Sequence, residues 1–142
     1  MKISKILICI LLCAFFLTGE TFALPNNDPK TEQTQGAPEI TFSEKQYDFG
    51  IIPENGGPVT HFFEFTNTGN APLVIISATA SCGCTRPTYP TEPIAPGKKG
   101  KIKVTYLPEG RPGEFDKVVK VRTNVKESKK ISLKIQGTVA PK

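Results

Sequence analysis

The chain has 142 residues, with 18 basic and 13 acidic side chains, four cysteines, one histidine and no tryptophan. Residues 1–23 have the pattern of a secretory signal peptide, because Lys2 and Lys5 precede an apolar run that ends before a small-residue cleavage site at Ala23. The run is shorter than the roughly 20 residues of a membrane-spanning helix. Residues 24–142 then amount to one domain, and this length excludes a multidomain enzyme. We expect this mature chain to be exported and not to span a membrane.

A lipoprotein signal is the alternative for the first 23 residues, because Cys13 lies within them. Cys13 sits in the middle of the apolar run and follows the bulky Leu12, whereas lipidation favours small residues before the cysteine. We therefore interpret the segment as a cleaved signal peptide. Cys9 and Cys13 are removed with it, so the mature chain keeps only Cys82 and Cys84.

The segment 24–38 differs in composition from everything after it. It has three prolines, several amides and no aromatic residue. Such a segment buries too little apolar surface to offset the entropy lost on ordering. We predict a disordered tether over residues 24–38, followed by a folded domain over 39–142.

From Glu39 onward the apolar residues recur at every second position, most regularly at Ile131, Leu133 and Ile135. This period is typical of half-buried strands, and clusters of turn-forming residues separate the runs. About seven short strands with such spacing predict an all-β, two-sheet antiparallel sandwich. The side chains expected between the sheets are Phe42, Phe49, Phe63, Phe65, Leu73, Ile75, Ile102, Val104, Val119, Val121, Leu133 and Ile135.

The segment from Ser81 to Thr85, Ser-Cys-Gly-Cys-Thr, is the most chemically distinctive part of the sequence. In an exported protein a disulfide is the first interpretation of Cys82 and Cys84. Closing a three-residue loop stabilises a fold by only about 1.6 kcal/mol, against about 4.4 kcal/mol for a loop of about 70 residues. A bridge between residues i and i+2 also requires a local bend, and Gly83 tolerates a positive φ there.

Three interpretations of Cys82 and Cys84 remain open at this point. The first is a local disulfide, with Ser81, Gly83 and Thr85 supporting the loop. The second is thiol–disulfide exchange, because a strained bridge is easily reduced. The third is a soft-metal site for Cu(I) that uses both cysteines, with His61 as an accessory ligand. We expect no cofactor under the first interpretation and copper under the third.

Positive charge is concentrated in the last third of the chain. Residues 98–142 hold 13 basic and 4 acidic side chains, whereas residues 24–97 hold 3 and 8. A basic patch on such strands would attract an anionic envelope polymer, a lipid surface or an acidic partner. The alternative is a solvated sheet face whose lysines discourage edge pairing. We do not expect nucleic acid as the partner, because no aromatic residues are interspersed with the lysines. The residues of this predicted patch are Lys101 and Lys103 on one strand and Lys120, Arg122 and Lys134 on the last two.

Six short motifs give the chain a family resemblance. They are Phe63-x-Phe65-x-Asn67-Thr68-Gly69, Pro72-Leu73-x-Ile75, Ser81-Cys82-Gly83-Cys84-Thr85, Pro93-Ile94-Ala95-Pro96-Gly97, Gly113-x-Phe115 and Thr123-Asn124. Together they resemble the bacterial exported family called domain of unknown function 1573, over about residues 39–140. The first motif is more loosely similar to immunoglobulin-like modules of the major sperm protein and ASPM/Hydin type. The resemblance implies an immunoglobulin-like fold and a periplasmic or secreted setting, and it implies no enzymatic activity.

The leading hypothesis is therefore an exported, non-enzymatic, immunoglobulin-like domain that binds a protein or envelope component or serves a structural role in the bacterial envelope. In it, Cys82 and Cys84 form a local disulfide. The alternative hypothesis is a thiol-redox or Cu(I)-handling protein that uses the same two cysteines.

Overall fold

A computed structural model describes residues 36–127 and 130–142 of the chain. The predicted signal peptide and most of the predicted tether, residues 24–35, lie outside the described residues. The described part contains eight strands: β1 (Ile40–Phe42), β2 (Gln46–Pro53), β3 (Val59–Asn67), β4 (Ile75–Ala80), β5 (Thr85–Thr88), β6 (Lys99–Tyr106), β7 (Gly113–Thr123) and β8 (Lys130–Ala140).

The eight strands form two four-stranded sheets. The first sheet has the order β1-β3-β6-β5, and the second has the order β2-β8-β7-β4. This arrangement confirms the predicted two-sheet sandwich. One pair differs from the expected antiparallel pattern, because β2 runs parallel to β8. The cause is a change of sheet at residues 43–45: β1 pairs antiparallel with β3, and after this short link β2 joins the second sheet.

The core lies between the two sheets and consists mainly of the predicted side chains. Phe63, Ile102, Val104 and Leu133 have no exposed surface. Of the twelve predicted core residues, all are buried except Phe49, which is partly buried and packs at the margin of the core. The period-two pattern therefore located the inner faces of both sheets correctly.

An irregularity in β2 changes which of its side chains face inward. The pairing of β2 with β8 shifts between Asp48 and Ile51. Gly50 lies within this shift with a φ of 66°, in the left-handed region that favours glycine. Beyond it Ile52 is buried, whereas Ile51 is 79% exposed. The alternation of Tyr47, Phe49 and Ile51 in the sequence therefore does not continue through the strand.

The described chain begins with residues that are attached to the domain. The amide of Ala37 donates to Oδ1 of Asn70 at 2.8 Å, and the amide of Asn70 donates to the carbonyl of Ala37 at 3.1 Å. Gly69 lies so close to this segment that a Cβ on it would approach the carbonyl carbon of Pro38 to 2.8 Å. The last residues of the predicted tether thus make specific contacts with the sandwich.

Within residues 36–127 and 130–142, no helix has the length and apolar character needed to cross a membrane.

Candidate functional site

Cys82 and Cys84 lie where the chain passes from one sheet to the other. β4 is an edge strand of the second sheet, and β5 is an edge strand of the first. Residues 81–84 connect them, so this corner closes one lateral edge of the sandwich. The two sulfurs lie at disulfide distance, with 5.3 Å between the Cα atoms. This Cα separation falls within the usual range for a disulfide.

The two cysteines differ in burial. Cys84 is 5% exposed and belongs to the core, whereas Cys82 is partly buried at its margin. The carbonyl of Cys84 accepts a hydrogen bond from the amide of Leu107 at 2.9 Å, which attaches the corner to the chain after β6. The corner is therefore integrated into the packing and not a free loop tip.

Of the three predicted supporting residues, Thr85 makes direct contacts. Its amide donates to the carbonyl of Cys82 at 3.2 Å. Its buried hydroxyl lies 3.9 Å from Sγ of Cys82 and 3.7 Å from Sγ of Cys84. Ser81 and Gly83 are exposed. The bend at Gly83 does not use the positive φ that glycine tolerates: positive φ values occur at other glycines, and a Cβ on Gly83 would meet open space.

Tyr89 reinforces the same edge of the sandwich. It follows β5, and its hydroxyl donates to the carbonyl of Ile76 in β4 at 3.5 Å. Since β4 and β5 belong to different sheets, this contact links the two sheets beyond the cysteine corner.

His61 lies on the opposite lateral edge of the sandwich. Its ring stacks on Tyr47 of β2, with 3.6 Å between the ring centroids, and meets Phe63 edge-on. Nε2 of His61 lies 2.8 Å from Oε1 of Glu44. The imidazole is thus held by packing and a polar contact at the β2 edge.

The structure does not bring His61 to the cysteine pair. β6 lies between β3, which carries His61, and β5, which begins beside Cys84. Two strand spacings amount to about 10 Å, whereas ligand atoms that share one metal lie within about 4 Å of each other. Among residues 36–127 and 130–142, no three His, Cys, Asp or Glu side chains are grouped to hold a metal ion.

Two asparagines from the family motifs form hydrogen bonds with backbone groups in loops. Asn67 is fully buried, and its Nδ2 donates to the carbonyls of Ala71 and Ile94 at 2.8 and 2.9 Å. Its Oδ1 accepts from the amide of Gly69 at 3.0 Å. Asn124 bonds to the same connection before β4, because its Oδ1 accepts from the amide of Val74 at 2.9 Å. Both side chains replace backbone partners in irregular segments, so they stabilise the fold.

The predicted basic patch is divided between the two outer faces of the sandwich. Lys101 and Lys103 are exposed on β6 of the first sheet. Lys120 and Arg122 of β7 and Lys134 of β8 lie on the second sheet. The five residues therefore form two separate groups and not one surface.

On the second sheet, the outer face carries charges of both signs. Lys134 contacts Asp116 at 2.7 Å, and Asp48 accepts from Nε2 of Gln136 at 2.9 Å. Asp48, Asp116 and Gln136 border a concavity of about 600 Å³, which Glu114 also lines. On the outer face of the second sheet, positive charge thus lies at the Arg122 end and acidic side chains lie at the other end.

Three large apolar side chains are exposed that the sequence pattern did not predict. Phe62 and Ile76 are each 50% exposed, and Ile51 is exposed as described above. The signal for Phe62 was present, because it occupies the polar phase of β3 between Thr60 and Glu64. An aromatic residue at an outward position is the one pattern that would have indicated it.

The two sheets and their order define the class of protein as an immunoglobulin-like β-sandwich. In agreement, the structure is similar to the ASH/PapD-like domain 7 of human CEP192, with a TM-score of 0.55 and 13% identity over 75% of this chain and 88% of that chain. The chain belongs to the family described as "Protein of unknown function (DUF1573)", whose sequence pattern matches residues 40–139. This match confirms the resemblance found in the motifs.

Two further solved structures have the same fold. A protein of unknown function from Porphyromonas gingivalis W83 gives a TM-score of 0.61 and 17% identity over 80% of this chain. The present chain spans about half the length of that protein (51%). The secreted serine protease VesC from Vibrio cholerae gives a TM-score of 0.55 and 13% identity, over 70% of this chain and 23% of the protease. A search of curated proteins found no match. At these identities the similarities concern the fold alone.

Proposed function

We propose that this protein is an exported, non-enzymatic binding or structural domain of the bacterial envelope, in which the Cys82–Cys84 bond serves the fold. The observation that carries the proposal is the position of the cysteine pair. It lies at the corner between the sheets, one sulfur is in the core, and the single histidine of the chain is engaged at the opposite edge.

The architecture of the family motifs supports the same conclusion. Asn67, Gly69 and Asn124 satisfy backbone groups or allow close approach of chain segments, as described above. These motif residues thus act inside the fold, which leaves the outer faces of the sheets for contacts with a partner. The signal-peptide pattern of residues 1–23 supports export, and a disulfide suits an oxidising compartment.

The proposal is tested by producing the full chain in a bacterial host, without a reductant at any step. The periplasmic and cytoplasmic fractions are separated, and the purified protein is analysed for intact mass, free thiols and bound copper. We expect periplasmic protein that begins near Leu24, lacks two hydrogens relative to the dithiol form and holds no copper. Protein retained in the cytoplasm with residues 1–23 attached would contradict export. Free thiols with one equivalent of copper would instead support the Cu(I) alternative.

The unequal burial of the two sulfurs favours thiol–disulfide exchange as a second candidate. An external thiolate would attack Sγ of the partly exposed Cys82, forming a mixed disulfide as the bond between the two cysteines breaks. The sulfur of Cys84 would leave with the bonding electrons, 3.7 Å from the hydroxyl of Thr85.

The two candidates are separated by an assay of disulfide reduction in a model substrate, with glutathione supplied as the electron donor. The wild-type protein is compared with the Cys82→Ser/Cys84→Ser variant. A structural bond predicts equal rates for both proteins. Reduction that is faster with the wild-type protein than with the variant would establish the exchange role and overturn the leading proposal.

A further inference from the structure

The outer face of the first sheet has an unusual composition. It presents a half-exposed phenylalanine, four cations and one carboxylate on a background of short threonines. The cations are Lys99, Lys101, Lys103 and Arg86, the carboxylate is Glu64, and the phenylalanine is Phe62. We call this surface the β3-β6-β5 face.

The strand register places the apolar and cationic groups of the β3-β6-β5 face side by side. Phe62 of β3 is opposite Lys103 of β6, and Lys103 is in turn opposite Thr88 of β5. Lys99, Lys101 and Lys103 follow one another at every second position, so their Cα atoms are about 6.6 Å apart along the strand. Phe62 therefore adjoins a continuous row of positive charge.

The threonines of the face make the longer side chains more prominent. Thr60 and Thr105 hydrogen bond to each other at 3.0 Å, which uses their hydroxyls within the surface. Since these side chains are short, the lysines and Phe62 extend beyond them into solvent. The protruding groups are thus an apolar ring and several ammonium groups.

The positive charge of the face is only partly neutralised within the domain. Glu64 contacts Lys101 at 2.8 Å, and the hydrogen bond from Lys101 together with the charges of Lys101 and Lys99 lowers the pKa of Glu64. In the part of the chain that the structure describes, the ion pairs involve none of Lys99, Lys103 and Arg86. The face therefore has an excess of positive charge, in contrast to the mixed outer face of the second sheet.

We propose that the β3-β6-β5 face docks on an anionic lipid bilayer, with Phe62 inserted at the interface and the surrounding cations on the lipid headgroups. This inference rests on the proposed envelope role and names its partner. Charge complementarity favours an anionic surface, and an apolar side chain among cations adds burial at the acyl boundary. The concavity bordered by Asp116 and the one beside Glu54 include no residue of this face. The row of cations and the half-exposed ring suit an extended anionic surface.

The proposal is tested by sedimentation of the mature, oxidised protein with two kinds of vesicle. One is made of phosphatidylcholine, and the other also contains about one third phosphatidylglycerol. We expect binding to the anionic vesicles only, and we expect it to weaken as salt screens the charges. Equal binding to both vesicles, or no binding at low salt, would overturn the proposal.

Matched variants locate the surface. Lys99→Gln/Lys103→Gln removes two charges from the β3-β6-β5 face, whereas Lys120→Gln/Arg122→Gln removes two from the other sheet. Because each cation near an anionic bilayer contributes about a fivefold gain in affinity, the first variant should bind about 25-fold more weakly. The control should change less than about twofold. Equal losses in the two variants would show attraction by net charge alone and contradict a defined face.

Phe62→Ala distinguishes a bilayer from a soluble polyanion. We expect the variant to bind anionic vesicles several-fold more weakly while its binding to heparin is unchanged. Vesicle binding that is insensitive to Phe62→Ala, together with tight heparin binding, would overturn the lipid assignment in favour of a soluble anionic polymer. All substituted side chains are exposed, and a thermal unfolding curve checks that each variant is folded. Failure of vesicle binding in a protein that is exported and oxidised would leave the envelope role itself intact.

Discussion

Single residues of this protein show how a family motif serves the fold. Asn67 has no exposed surface, yet its side-chain amide is fully used by three backbone groups of irregular segments. A buried polar side chain is stable only when its hydrogen-bonding groups are satisfied. The side chain of Asn67 in turn supplies a hydrogen-bond partner to the carbonyls of Ala71 and Ile94 and to the amide of Gly69.

We predict that Asn67→Ala destabilises the domain strongly. The substitution removes the Asn67 partner of the Ala71 carbonyl and of the Gly69 amide, whereas the carbonyl of Ile94 keeps its hydrogen bond from the amide of Leu73. An unsatisfied buried group costs about 1–3 kcal/mol. We expect a loss of about 3 kcal/mol, equivalent to a fall in Tm of about 12 °C or more. Thermal unfolding followed by circular dichroism measures it. Asn55→Ala in the exposed β2–β3 turn is the control, and a similar effect in both variants would contradict the role assigned to Asn67.

Gly69 and Gly83 differ in the space that surrounds them. A Cβ on Gly69 would collide with the backbone of residues 37–39, whereas one on Gly83 would meet open space. Gly69→Ala should therefore lower the free energy of unfolding by about 2 kcal/mol or more, as expected for overpacking against backbone. Gly83→Ala should change it by less than about 0.5 kcal/mol. Denaturant unfolding of both variants provides the measurement, and the reverse order would show that the flexibility of Gly83 is needed at the cysteine corner.

At the scale of elements, β2 shows where a sequence pattern stops being informative. The period-two pattern predicted the strand correctly, but it did not reveal the shift at Gly50 that exposes Ile51 and buries Ile52. A bulge depends on one glycine conformation and on the register with β8, which lies far away in sequence. The parallel pairing of β2 with β8 was missed for the same reason.

The same part of β2 predicts a dependence of stability on pH. Hydrogen bonds from the side chain of Gln136 and the amide of Gly50 lower the pKa of Asp48 below 3.8. A carboxyl whose pKa is lowered in the folded state stabilises the fold above its unfolded pKa, and this contribution is lost as the pH falls through the folded pKa. Tm should therefore decline below about pH 3.8. Asp48→Asn keeps one of the two acceptor oxygens and removes the titration, so its decline should be smaller. Identical pH profiles for the two proteins would contradict this assignment.

The cysteine corner was only partly predictable. The sequence indicated a bend and a pair of sulfurs, but not that the bend joins β4 of one sheet to β5 of the other. That placement depends on long-range strand order, which local pattern does not encode. The same limit applies to His61, whose distance from the cysteines follows from β6 lying between the two strands.

For the molecule as a whole, alternation of apolar residues was enough to predict two sheets and nearly all of the core. It was not enough to place the charges. Lys101 and Lys120 occupy similar outward positions in sequence, yet their strands belong to opposite faces. Phe62 gains its significance only beside Lys103, because the register of β3 with β6 brings the two together. The composition of the proposed docking face therefore depends on the strand order and on the register between strands.

The structural role of the Cys82–Cys84 bond is tested most directly by denaturant unfolding of the oxidised protein, the reduced protein and the Cys82→Ser/Cys84→Ser variant. Because the bond closes a loop of only three residues, we predict that reduction lowers the free energy of unfolding by about 1–2 kcal/mol. The double variant should match the reduced wild-type protein within about 0.5 kcal/mol and should keep the same fold. A reduced protein that is as stable as the oxidised one, or more stable, would contradict a structural role for the bond.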